Sequence, residues 1–418
     1  MTRDYSKESI LNDLKTSSQP VVIFGASPVG HAVQELCERE GIEVTCYCDN
    51  KNYKMDGTYN SHAVLDPKTL PEMFPDGAQF IIVAADINDV VVQLAGMSFQ
   101  DWHPGGLLLK DFDIANSSIE KTEAFVDYVI GATINCHDAY VSKDRIFMRS
   151  VDLVLTERCS LKCKDCSNLM QYYERPVNYE LDQMQQSLSN LLALADGIQE
   201  IRIIGGEPFV NRDFHIVVNR LIDEADVGRI VIYTNGTIAP PDEKLEMMVS
   251  DKVMVLITDY GDLSRNKVKL MAGLTKHGIA WHCDDAKGWT DCSSIGYHER
   301  NEQEKVEVFQ ECCAKGLITI SNGTLYRCPF SANASQLQAV PHEPSDWVNL
   351  EDIHLIEQAE ARSTIRSFLY DRKYLKVCDY CGGRPLYAPE IKPGIQTRKP
   401  LDYETFAQQA ETQVVRIL

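Results

Sequence analysis

The chain is predicted to be an α/β protein of two parallel-sheet halves and a smaller cysteine-rich extension, and three observations carry that prediction. Short apolar runs alternate with segments of helical period along both halves, the pattern of strands joined by crossover helices. At 418 residues the chain exceeds what one hydrophobic core serves, so two or three domains are expected. Its 14 cysteines are clustered: three fall within residues 159–166 and five within 312–381.

Residues 1–110 read as a nucleotide-binding type of unit. Val21–Phe24 is a buried strand, GASPVG a tight turn, and residues 31–40 carry Ala32, Val33, Leu36 and Cys37 at helical spacing. A second strand, 43–48, runs into Asp49, and a third, 79–84, extends the sheet. Gly25, Gly30 and an acidic residue about twenty positions on are what a dinucleotide site uses, although Ser27 replaces the middle glycine. Bound NAD or another nucleotide is thus a secondary expectation, with residues 49–59 and His62 as contacts. The pattern resembles Rossmann-like modules attached to sugar and polysaccharide biosynthesis enzymes, which implies a docking or structural role as readily as a binding one.

Residues 111–148 read as a linker. Within them 120–130 has helical period, and Cys136, His137 and Asp138 are assigned no role.

The second half, 149–300, opens with a strand at 151–156, and Cys159, Cys163 and Cys166 follow at C-x3-C-x2-C spacing. Thiols so close in sequence close on one metal centre at little cost in loop entropy. An iron–sulfur cube usually takes four cysteines, so a loop of three leaves one iron open to a non-protein ligand. Zinc would want a closed tetrahedral shell, and the loop holds no histidine to complete one. A helix over 181–195 and strands at 200–204, 230–233 and 253–257 continue the alternation; their loops begin Gly205-Gly206-Glu207-Pro208, Thr234-Asn235-Gly236-Thr237 and Thr258-Asp259-Tyr260-Gly261. Two glycines admit close approach of backbone to a ligand, and Glu207 can accept from an ammonium.

The cysteine spacing after a first strand and GGEP after a second resemble the radical SAM superfamily. The resemblance implies a partial β/α barrel whose Cys159, Cys163 and Cys166 hold a [4Fe–4S] cluster. It implies that the open iron binds S-adenosylmethionine, cleaved to a 5′-deoxyadenosyl radical that abstracts substrate hydrogen. It implies cofactor contacts at Gly205, Gly206, Glu207, Pro208, Thr234, Asn235 and Asp259, with Tyr260 also facing the site. Asp165 stands where the family often has an aromatic residue.

The last third adds Cys312, Cys313, Cys328 after Gly323, and Cys378 with Cys381 as C-x2-C. One of the adjacent pair plus the other three makes a four-cysteine site, with a zinc ribbon as the competing reading. Residues 301–390 resemble the SPASM or twitch extensions behind radical SAM barrels, which implies one auxiliary [4Fe–4S] cluster. Cys37, Cys46, Cys48, Cys283 and Cys292 read as packed thiols. Residues 391–418 read as an arm over the barrel mouth, with Gln396 and Arg398 toward substrate.

Composition bounds the rest. A formal charge of −20 disfavours nucleic acid or an anionic membrane as main partner. No run is long enough to span a bilayer, and residues 1–10 lack the apolar core of a secretory signal, so a cytoplasmic location is expected. The expected function is hydrogen abstraction from a small molecule, a sugar or nucleotide-sugar, ending in oxidation or epimerisation. A reducing partner such as flavodoxin or ferredoxin is implied. The alternatives are maturation of a ribosomal peptide or protein and, from another class, a nicotinamide-dependent or zinc-bound protein.

Overall fold

The structure, a computed structural model, describes residues 3–51, 57–385 and 388–409. It divides into two compact units, Met1–Arg149 and Ser150–Leu418.

In the first unit β1 (Val21–Phe24), β2 (Val44–Cys48), β3 (Thr58–Tyr59), β4 (His62–Leu65), β5 (Gln79–Ile82) and β6 (Trp102–Pro104) form one sheet, ordered β3-β4-β2-β1-β5-β6. Neighbours are parallel except the β3–β4 pair. The order reverses between β1 and β5, as in a doubly wound sheet. Every residue of β1 is buried, which suits a central strand covered on both faces and explains its unbroken apolar run.

The glycines of GASPVG answer to packing. A Cβ on Gly30 would lie 2.3 Å from the Gly25 carbonyl oxygen, and Gly25 itself has φ +129°. Ser27 caps the helix Pro28–Arg39 by accepting from the Gly30 N–H at 3.3 Å. Asp49 accepts from the N–H groups of Ala26 at 2.9 Å and Lys51 at 2.8 Å. The groups that a pyrophosphate and a ribose would engage therefore already have partners within the chain. Of the expected nucleotide contacts, residues 52–56 lie outside the described residues, and His62 packs edge-on to the buried Tyr47 ring.

The stretch expected to be a linker belongs to this unit. Thr122 caps the helix Glu123–Val141, which buries Val126 and Ile130 beside Val21 and Ile23 of β1. His137 on that helix is fully buried; its Nδ1 accepts from the Gly106 N–H at 3.0 Å and its Nε2 donates to the Ala84 carbonyl at 2.8 Å. Burial pushes its pKa down to about 4, so it is a satisfied core histidine. A short strand, β7 (Phe147–Met148), ends the unit.

The second unit is built on β8 (Val151–Val154), β9 (Gly197–Ile204), β10 (Val227–Thr234), β11 (Val253–Asp259) and β12 (Ala280–Asp285), all parallel in the spatial order β12-β11-β10-β9-β8. The helices Leu181–Leu192, Phe214–Asp223 and Lys267–Lys276 alternate with them. A minor pair, β13 (Trp289–Thr290) with β17 (Glu390–Ile391), ties the C-terminal arm to the barrel segment.

The cysteine-rich extension continues the same sheet. β14 (Ile318–Ser321) pairs in parallel with β8, and β15 (Thr324–Tyr326) and β16 (Trp347–Asn349) follow antiparallel. Asn322 and Gly323 join β14 to β15 with φ of +47° and +77°, a two-residue hairpin turn of the type that matches strand twist. On the inner face, Asp152 of β8 lies in register with Arg202 of β9 and accepts from it at 2.5 Å, and Asp152 is 2% exposed.

Candidate metal centre and cofactor site

All of the loops expected to act lie at the C-terminal ends of β8, β9, β10 and β11, where parallel barrels place their chemistry. The loop after β9 is laid directly on the cysteine loop. Gly206 N–H donates to the Thr156 carbonyl and Glu207 N–H to the Arg158 carbonyl, both at 2.9 Å. A Cβ on Gly205 would lie 2.3 Å from the Thr156 oxygen, and one on Gly206 would lie 2.2 Å from the Arg158 oxygen. The paired glycines thus admit backbone against backbone, where the sequence suggests backbone against ligand.

Cys159, Cys163 and Cys166 share one neighbourhood. Burial, and then the charges of the other sulfurs and of Glu207, push the Cys159 thiol up; burial likewise raises Cys163 and Cys166. Each sulfur meets its own donor: the Leu161 N–H at 3.5 Å for Cys159, the Gln396 carboxamide at 3.2 Å for Cys163, and the Met170 and Asn168 N–H groups for Cys166. Such donors stabilise thiolates, the form in which cysteine ligates.

Glu207 is the hinge pin of the mouth. It is 1% exposed; its Oε1 accepts from the Thr234 hydroxyl at 2.8 Å and the Phe209 N–H at 3.2 Å, and its Oε2 from the Asn235 N–H at 2.8 Å. Burial without a facing cation pushes its pKa up to about 7. Pro208 follows as the first residue of a short 3-10 turn, Pro208–Val210. The Asn235 carboxamide donates to Ser160 at 3.2 Å and lies 3.7 Å from the Cys159 sulfur. Asp259 is turned away to an ion pair with Lys267 and to the Gly261 N–H, whereas Tyr260 lies within electrostatic reach of Cys163, Cys166, Cys159 and Glu207.

The second cysteine set is sorted by the fold. Cys328 is raised well above its ordinary range by burial and then by Cys312, Cys378 and Cys381, and Cys378 and Cys381 are each pushed up to about 12, chiefly by burial. Their sulfurs accept from the N–H groups of Ala314, Ser331, Leu375 and Gly383. Cys313 is exposed, with its N–H on the Arg384 carbonyl. Cys328, Cys378 and Cys381 sit in an apolar cluster with Phe309, Phe330, Leu375 and Tyr380. Of the thiols read as packed, Cys292 is a charge neighbour of Cys381, and Cys283 stands half-buried on β12.

Two supports of this set escape a reading of the sequence. Arg300 donates to the carbonyls of Cys378 and Cys381 at 2.5 and 2.7 Å, and the Asp346 carboxylate accepts from the N–H groups of Lys376 and Val377 at 3.0 and 2.8 Å. Each lies tens of residues from the loop it holds, with no local motif to mark it. The donor chemistry of both sets fits iron–sulfur ligation: thiols with no competing histidine, each with an N–H aimed at its sulfur. No helix among the described residues is long and apolar enough to cross a membrane.

Residues 153–262 match the model of the radical SAM superfamily. The chain is 28% identical over 118 residues to a GTP 3′,8-cyclase of Synechocystis sp., covering 28% of this chain and 35% of that protein. It is 37% identical over 91 residues to GTP 3′,8-cyclase 2 of Pseudomonas aeruginosa, covering 20% and 25%. The chain thus spans well under two thirds of the length of the curated relatives it matches. Among solved structures it is similar to BtrN in complex with AdoMet and 2-DOIA, at 15% identity over 62% of this chain and 99% of that one, with a TM-score of 0.39. A further similarity is to anSMEcpe with bound AdoMet, at 10% identity over 64% and 98%, with a TM-score of 0.35. The family match spans the strand, the cysteine loop and the three loops packed around it, so residues 153–262 are a radical SAM domain, of a superfamily whose members use a [4Fe–4S] cluster and S-adenosylmethionine.

Proposed function

We propose that this chain dehydrogenates a hydroxylated small molecule, a sugar or nucleotide-sugar, by radical chemistry. Cys159, Cys163 and Cys166 hold the cluster that binds S-adenosylmethionine, and Cys312, Cys328, Cys378 and Cys381 hold an auxiliary [4Fe–4S] cluster. Bound, these groups supply a 5′-deoxyadenosyl radical that takes a hydrogen atom from an alcohol carbon, and a sink for the electron then left on that carbon.

The observation that carries this reading is the second cysteine set. It lies in the same compact unit as the first and offers four thiols rather than three, which suits an electron carrier without an open iron. Loss of the electron and of the hydroxyl proton leaves a carbonyl, a net two-electron oxidation. The chain's residues do the positioning: Glu207 joins the loops after β9 and β10, Asn235 and Ser160 line the edge of the cysteine loop, and Tyr260 lies within electrostatic reach of it. The sugar class is supported by the resemblance of the first unit to modules of sugar biosynthesis.

The test is anaerobic reconstitution with iron, sulfide, S-adenosylmethionine, a reductant and candidate nucleotide-sugars. A substrate-dependent burst of 5′-deoxyadenosine with one carbonyl formed per equivalent is expected. Solvent-derived hydrogen in an otherwise unoxidised product would replace oxidation by epimerisation, and turnover of a small peptide alone would replace the substrate class.

A further inference from the structure

The C-terminal arm, separated from the cysteine loop by more than two hundred residues, is hydrogen-bonded along it. Lys164 N–H donates to the Ile395 carbonyl and Thr397 N–H to the Lys162 carbonyl, both at 2.7 Å, and Cys163 and Gln396 face each other as an antiparallel bridge. Inside this pairing the Gln396 side chain turns back onto the loop. Its Oε1 accepts from the Lys162 N–H at 2.7 Å, and its Nε2 donates to the Cys163 sulfur at 3.2 Å and to the Gly394 carbonyl at 2.9 Å. The orientation of the carboxamide follows from its partners: the Lys162 N–H is a donor only and the Gly394 carbonyl an acceptor only, so the nitrogen must face the sulfur.

We propose that Gln396 is a positioning residue of the metal centre, whose carboxamide holds the cysteine loop in place and sets the reduction potential of the cluster through its hydrogen bond to Cys163. This rests on the assignment of Cys159, Cys163 and Cys166 as cluster ligands. Cys163 is 8% exposed, so water competes little for its sulfur. Among the described residues Cys159 has the Leu161 N–H at 3.5 Å and the Asn235 carboxamide at 3.7 Å, and Cys166 has backbone N–H groups, whereas the Gln396 carboxamide lies closer to its sulfur, 3.2 Å from Cys163. Hydrogen bonds to cluster sulfurs stabilise the more negative, reduced state and so raise the potential.

The arm is seated firmly enough for the role. Gly394 has φ +71°, and a Cβ there would lie 2.8 Å from the Tyr260 ring, so the arm and Tyr260 are in close contact. Beyond Gln396, Leu401 N–H donates to the Gln171 carbonyl at 2.8 Å, and the Tyr403 ring packs edge-on to Tyr172 at 5.7 Å. The arm thereby runs from the cysteine loop to the apolar cluster that contains the second cysteine set.

The experiment is a redox titration of the reconstituted full chain, followed by electron paramagnetic resonance on the signal that changes when S-adenosylmethionine is added. Gln396→Met keeps length and neutrality but removes the donor. Its midpoint is expected to fall by roughly tenfold in the redox equilibrium, about 59 mV for a one-electron couple. An unchanged midpoint at full iron content and unchanged circular dichroism would overturn the proposal. If the Met variant does not load iron, Gln396→Glu serves instead, since it keeps an acceptor for Lys162 while losing the donor to Cys163; its midpoint must also fall, and constancy there overturns the proposal equally. The underlying assignment fails separately: a Cys159→Ala, Cys163→Ala, Cys166→Ala variant that retained the responsive signal would remove it whatever Gln396 does.

Discussion

Glu207→Gln is the sharpest probe of the cofactor mouth. The carboxylate spends one oxygen on Thr234 and Phe209 and the other on the Asn235 N–H, all in a site that is 1% exposed. A carboxamide has one acceptor oxygen, so if it serves Thr234 and Phe209 its NH2 faces the Asn235 N–H, donor against donor. Leaving that buried N–H unsatisfied costs about 1–3 kcal/mol, and the loop bearing Asn235 must shift away from Ser160 and Cys159. Glu207 also titrates: its folded value of about 7 lies above the ordinary 4.5 because of burial. A raised acid binds its proton more tightly when folded, so its contribution is complete below pH 4.5 and drains away as pH rises through about 7. At about 1.4 kcal/mol per pH unit the change is on the order of 3 kcal/mol in the cofactor-free protein, and the Gln variant lacks it. Urea denaturation from pH 4.5 to 8, with equilibrium dialysis of S-adenosylmethionine at neutral pH, reads both effects. A variant with wild-type stability, wild-type pH slope and undiminished cofactor binding would refute the assignment of Glu207 as the group joining these loops.

Three further outcomes are expected. Asp152→Asn removes the charged partner of the half-buried Arg202 guanidinium and should cost about 1.5–3 kcal/mol in denaturant unfolding; a cost under about 1 kcal/mol would mean that the pair is solvated. Gly206→Ala sets a Cβ 2.2 Å from the Arg158 carbonyl oxygen, so it should lose about 1–3 kcal/mol together with iron bound at the first cysteine set, read by metal analysis. Cys312→Ser should reduce iron from about eight to about four per chain while Cys313→Ser leaves it unchanged; equal losses would return Cys313 to the ligand set.

Much of the fold was written in local pattern. The run at Val21–Phe24 is apolar throughout and the one at 151–156 is apolar but for Asp152 and Thr156, because central parallel strands are covered on both faces. β12, AWHCDD, has no such signature, since it lies at a sheet edge with most of its side chains in solvent and shows no apolar period. The helical period at 120–130 marks only part of the helix Glu123–Val141, within a stretch that the sequence presents as a linker. Its apolar residues bury against a sheet formed far earlier in the chain, which periodicity alone does not reveal.

The site divides in the same way. Three cysteines within eight residues, and glycines placed directly after a strand, are constraints of short chain segments, and a short segment carries its geometry in its own spacing. What lay beyond that reach was decided by tertiary contact: that Cys312 rather than Cys313 turns toward Cys328, that Asp259 pairs with Lys267 while Tyr260 lies within electrostatic reach of the sulfurs, and that Gln396 meets Cys163. Such pairings join residues with no common period or motif, and they form only when the sheet brings distant loop ends together, which is a property of packing and not of neighbouring residues.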